Sequence, residues 1–266
     1  MLVKNISRPN QNLLQLLLLI TINEFMELIG FDYLMKPIPT KGFLFDNVIY
    51  KILSIILLVL LNFVILKQSI YFKPLFQKFN LRKHLLLTAF IVFMFVFPIF
   101  GQTPHRIGEA ITVGLIAAIP EEYLHRGIIL GSLLKNIKMK NQNTKILVVI
   151  IINSLLFALY HLDNMKSDGF QNTLGQMIQV FGMAVLLDAL YLRYGSILIP
   201  MLFHFAIDFE ATLANGLQSG PSTYHVSLLT TVFNSTLVAF IYIIIAWFVL
   251  RNHLKDNPLL KKIDLD

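Results

Sequence analysis

Two stretches of this chain, VIYKILSIILLVLLNFVIL at 48–66 and SLLTTVFNSTLVAFIYIIIAWFVL at 227–250, decide what it can fold into. Each is long enough to cross the hydrocarbon core of a bilayer, which takes about 20 residues of helix. Lipid offers the backbone no hydrogen bonds, so such a run must satisfy its own N–H and C=O groups as a helix. Composition agrees, with 56% hydrophobic and 14% charged residues, whereas soluble domains are about a quarter charged. The expected fold is an all-α polytopic membrane protein, one bundle with an intramembrane site. Its candidate spans are 12–30, 48–66, 84–101, 107–131, 145–161, 172–192, 196–214 and 227–250, about eight in all. The links are short and no repeat separates them, so 1–266 reads as a single transmembrane domain.

The first run follows Lys4 and Arg8 as a signal peptide would. No small-x-small cleavage site follows it, so it reads as a retained span. Glu24 and Glu27 near its end leave an interfacial position as the alternative.

The chain has no cysteine, which excludes disulfides, thiolate metal sites and a cysteine nucleophile. Its net charge of +7 does not point to nucleic acid. Most of the 22 Lys and Arg residues fall on one side of the predicted topology, among them Lys67, Lys135, Lys138, Lys140, Arg193 and Arg251. Lys36, Lys41, Arg106 and Lys166 fall on the other. The positive-inside rule then places both termini in the cytoplasm. The composition, rich in Leu, Ile and Lys, suggests a bacterial plasma membrane, with the lipid bilayer itself as a partner.

Against this background, polar residues inside the spans stand out, because a charge at mid-helix costs about 2.5–3.5 kcal/mol on insertion scales. Such residues face the protein interior and often mark function. Glu121 and Glu122 precede Arg126, and spacing of four puts Glu122 and Arg126 on one face, where they can pair. Glu121 points about 100° away and stays available for chemistry. Pro120 removes a backbone donor just before them and can bend the helix. Phe157 and His161 form a second stretch. His204 and Asp208, again four apart, form a third, in which the carboxylate could fix the imidazole tautomer or join it on a metal.

Each stretch also has a plain structural reading. Glu122 with Arg126 could be only an ion pair, His161 an interfacial histidine, and His204 with Asp208 packing glue or a proton relay. Glu109 and Asp188 receive no chemistry, and Glu24, Glu27, His84, His105 and Glu210 read as solvated or interfacial helix-end residues.

EEYLHRG, NSLLFALYHL and GSILIPMLFHFAID resemble, in order, the E-E-x-x-x-R, F-x-x-x-H and H-x-x-x-N/D signatures of the CPBP family. These are membrane endopeptidases that include the type II CAAX prenyl proteases and bacterial Abi-type relatives. The resemblance covers 107–214, which becomes the expected catalytic core. It departs from the family at His125, where phenylalanine is frequent, and at Asp208, where asparagine is frequent. An ionised aspartate cannot donate to an oxyanion as an amide can. Asp208 is therefore protonated, orients His204, or helps hold a metal.

The resemblance implies hydrolysis of a peptide bond in a membrane-associated peptide or protein. Glu121 is the expected general base on a water, assisted by His161. His204, with Asp208, would stabilise the oxyanion, while Glu122 and Arg126 hold Glu121 in place. A metal version uses Glu121, His161, His204 and Asp208 around one zinc ion, although the sequence has no H-E-x-x-H motif. Metal-free chemistry is equally compatible. Abi-type relatives suggest bacteriocin self-immunity or peptide-signal processing. A non-catalytic immunity or accessory protein that retains the protease fold is the alternative, and a proton-coupled transporter lacks the inverted repeat it would need. The sequence does not set the oligomeric state. Rises counted from the basic side leave one mismatch: His161 falls about 24 Å in, against about 15 Å for Glu121 and 16 Å for His204.

Overall fold

The computed structural model describes residues 8–39, 41–73, 89, 93, 99–217, 226–251 and 257–263. Among them there is no strand. The chain runs through α1 (Arg8–Phe25), α2 (Phe31–Met35), α3 (Phe43–Leu61), α4 (Pro104–Glu122), α5 (Gly131–Asn136) and α6 (Gln142–Tyr160). It continues through α7 (Met165–Tyr194), α8 (Leu198–Asn215), α9 (Leu228–Leu250) and α10 (Pro258–Ile263). Wider π-helical turns extend α1 over Met26–Gly30, extend α3 over Asn62–Leu66 and join α4 to α5 over Tyr123–Leu130.

Four continuous helical stretches are long and apolar enough to cross a membrane: Asn12–Gly30, Phe43–Leu66, Gln142–Tyr194 and Leu228–Leu250. The third contains both α6 and α7, joined by the 3-10 turn His161–Asn164. Helices also occupy the spans expected over 107–131 and 196–214, but these carry the polar residues of the site. The span expected over 84–101 lies largely outside the described residues.

Local chemistry sets several helix starts. Thr103 accepts from the Arg106 amide, with Pro104 in the first turn of α4. Asn141 caps α6 through the amides of Asn143 and Thr144, and Ser227 caps α9 through Thr230. Gly169, at φ 75°, breaks the first turns of α7 from the rest, and Gly195, at φ 61°, ends that helix.

The packing is that of a protein in lipid. Along α9 the buried residues are Ser235, Ala239, Ala246 and Leu250, while Phe240, Ile241, Trp247 and Phe248 point outward. Small residues let α7 and α9 approach closely. A Cβ on Gly182 would lie 2.5 Å from the Ala239 Cα, so only glycine fits there. α4 pairs with α8, and α7 also lies against α6. Below mid-bundle, Ile128, Leu130, Leu134, Ile146, Leu187 and Leu192 are fully or almost fully buried in one apolar core.

Candidate active site

Pro120 lies inside α4 and cannot donate to the carbonyl four residues back. The helix widens to π geometry from Tyr123, a feature that often accompanies functional sites. Glu121 and Glu122 end the regular helix, and Arg126 sits in the wide turn that follows.

Arg126 is completely buried and uses its whole guanidinium. Its Nη1 donates to Glu122 Oε1 at 2.8 Å, its Nε to Asp188 Oδ1 at 3.0 Å and its Nη2 to the Ala184 carbonyl at 3.1 Å. Asn153 donates to the same Asp188 oxygen at 2.8 Å. One cation thereby ties α4 to α7, and α6 contributes the amide. The expected Glu122–Arg126 pair is present, but Asp188, which the sequence reading left without a role, is its second carboxylate.

His204 joins this network from α8. Its Nδ1 lies 2.7 Å from Glu122 Oε1, and its Nε2 lies 3.3 Å from Asp208 Oδ2 and 3.9 Å from Glu121 Oε2. Only an imidazolium can donate from both nitrogens to carboxylates. In that form His204 and Arg126 balance Glu122 and Asp188. Asp208, one turn on, lies within reach of the ring's Nε2.

His161 is the first residue beyond α6. Its Nδ1 lies 2.9 Å from the Phe157 carbonyl, an acceptor without a proton, so Nδ1 carries the hydrogen and Nε2 is the neutral ring's acceptor. Phe157 has a second task. Its ring is fully buried, with the Arg126 guanidinium carbon 4.7 Å from its centroid and the His204 ring 5.8 Å away. That contact gives a physical reason for a phenylalanine four residues before this histidine. His125 packs edge-on against Phe157 and Tyr160 and does not line the cavity.

A cavity of about 740 Å³ lies over these groups and is lined by Glu121, His161, His204 and Asp208. It takes in three of the stretches singled out by sequence at one place. Arg126 and Glu122 stand behind it in the protein.

Lys51 of α3 also lines the cavity, and sequence reasoning gave it no role. Its Nζ lies 3.9 Å from Glu121 Oε1, 3.9 Å from Glu27 Oε2 and 3.4 Å from the Tyr160 hydroxyl. Glu27, expected as a solvated helix-end acid, instead accepts from the Ser54 hydroxyl, while the Tyr50 hydroxyl donates to its carbonyl at 2.5 Å. The first helix thus contributes to the bundle interior through Glu27.

Among the described residues no three His, Asp or Glu side chains are gathered as a metal-holding group. The zinc set expected at Glu121, His161, His204 and Asp208 does not meet that condition, and no step below passes through a metal.

Fold and site together define a multi-pass, all-α membrane protein with carboxylates and imidazoles gathered at an internal cavity. The family model described as type II CAAX prenyl endopeptidase Rce1-like matches residues 103–209. That segment carries all three motifs, and over it the chain is similar to the CAAX-protease type of membrane endopeptidase. No curated protein and no solved structure matches the chain.

Proposed function

We propose that this protein is an intramembrane endopeptidase in which Glu121 activates a water for attack on a peptide carbonyl. The observation that carries the reading is the shared cavity lined by Glu121, His161, His204 and Asp208. Glu121 is the carboxylate left free by the Arg126 network, and a cavity wall of Asn, Gln, Asp and His side chains suits bound water.

In this scheme Glu121 takes a proton from water, and His161 Nε2 accepts a hydrogen bond from the same molecule and aligns it. The hydroxide adds to the carbonyl carbon. The oxyanion shares the His204 Nε2–H with Asp208, on an imidazolium that Glu122 holds through Nδ1. Collapse breaks the C–N bond, and the proton held by Glu121 passes to the leaving amine. Lys51 places a positive charge 3.9 Å from Glu121 on the other side. Membrane-associated peptides are the proposed substrate class, with bacteriocin self-immunity or peptide-signal processing as the proposed setting.

The test is cleavage of candidate peptides by purified protein carrying Glu121→Gln or His204→Ala. The reading expects each to lose about 10²-fold or more in kcat, with retained helicity. Wild-type cleavage by a correctly folded Glu121→Gln variant would reject it.

A further inference from the structure

The catalytic cavity has an open end and a closed one. On α7, beyond the break at Gly169, Asn172, Gln176 and Gln179 are spaced four and three apart and share a helix face; they line the cavity, as does Asp168 before the break. From Asn172 to Gln179 this polar ladder covers about 11 Å of helix. It begins beside the turn that holds His161, Asp163 and Asn164, next to the largely exposed Lys166, and descends toward His204. In the other direction, behind the buried Arg126 network, Leu124, Ile128, Leu130, Leu187 and Leu190 are almost completely buried in the apolar core, and none of them lines the cavity.

Contacts fix which chain ends share each end of the bundle. At the open end Arg106 donates to the Leu213 carbonyl at 3.4 Å, and Gln171 donates to the Val226 carbonyl at 2.7 Å. At the closed end Asn12 donates to Asn136 at 3.0 Å, Ser196 to the Phe72 carbonyl at 2.6 Å and Arg193 to the Val249 carbonyl at 2.8 Å. The open end therefore carries Lys36, Lys41, Arg106 and Lys166. Among the described residues the closed end carries more cations, including Lys67, Lys135, Lys138, Lys140, Arg193 and Arg251. A clustering of Lys and Arg in short loops marks the cytoplasmic end of a membrane bundle.

We propose that the catalytic cavity opens to the extracytoplasmic face, so that its substrates are peptide segments exported to, or displayed on, the outer side of the membrane. The inference rests on the reading of this cavity as the hydrolytic site. It also removes the mismatch in depth: His161 lies far from the basic side because it stands at the mouth, at the end of its helix.

The cysteine-free chain makes the test direct. Single cysteines replace Asn172 or Lys166 at the open end and Lys138 or Lys140 at the other, all exposed positions. Intact cells expressing each full-length variant are treated with a membrane-impermeant maleimide, before and after permeabilisation. The proposal expects Asn172→Cys and Lys166→Cys to label fully in intact cells, and Lys138→Cys and Lys140→Cys only once the membrane is opened. The reverse pattern overturns it. Labelling needs no turnover, so repeating it in a Glu121→Gln background separates failure of the orientation from failure of the hydrolytic reading.

Discussion

Replacing Arg126 by methionine keeps an unbranched apolar stem over Phe157 and removes the one guanidinium in the buried network. Arg126, Glu122 and Asp188 are all completely buried. Wild-type protein sets two carboxylates there against two cations, Arg126 and the His204 imidazolium, whereas Arg126→Met leaves a net buried negative charge. Removing one member of a buried, hydrogen-bonded pair costs about 3–5 kcal/mol, because the remaining charge cannot be rehydrated. At about 1.4 kcal/mol per decade this is a fall of about two to four decades in the ratio of folded to unfolded protein. Neutralising one acid as well, in Arg126→Met with Asp188→Asn, leaves Glu122 against the His204 imidazolium and should recover most of the loss, since neutral replacements of buried ion pairs are often tolerated. The assay is reversible unfolding of detergent-solubilised protein followed by far-UV circular dichroism. A single variant as stable as wild type, or a double variant no better than the single, would refute the reasoning.

Lys51→Met should lower kcat by roughly tenfold with little change in KM, since one charge about 4 Å from Glu121 is lost in a partly solvated cavity, and Lys51→Arg should restore much of it. Steady-state kinetics on a cleaved peptide measures both. Gly182→Val should destabilise the bundle by about 1–3 kcal/mol, because its side chain would overlap the Ala239 backbone across the α7–α9 contact; equal thermal stability to wild type would count against that contact.

The sequence carried the site's residues more fully than its surroundings. Glu121, Glu122, Arg126, His161, His204 and Asp208 are visible because each is expensive inside an apolar run, and spacing of four already pairs Glu122 with Arg126 and His204 with Asp208. What spacing cannot supply is contact between distant helices. Asp188 meets Arg126 across 62 positions and Asn153 across 35. Glu27 looks like a frayed helix end until Ser54, from another helix, reaches its carboxylate. Lys51 sits alone in an apolar span and gives no local sign of its partner. The polar ladder on α7 was legible in principle, since its spacing is helical, but Asn and Gln are cheaper in a membrane than charges and attract less notice. Pro120 signalled a disturbed helix, and the π-helical turn after it is the form that disturbance takes. The end of α6 at Tyr160, one residue before the expected 161, is physical too: the apolar run continues through Leu162, while the hydrogen bonding changes at Tyr160.

The central claim is that Glu121 and His161 act on one water. A double-mutant cycle measures it: single-turnover cleavage of one peptide by wild type, Glu121→Gln, His161→Ala and the double variant, with equal folding verified for all four. Groups that serve the same water are not additive, so the account predicts a double variant about as slow as the slower single. A double variant slowed by the product of the two single effects would show independent roles and contradict it.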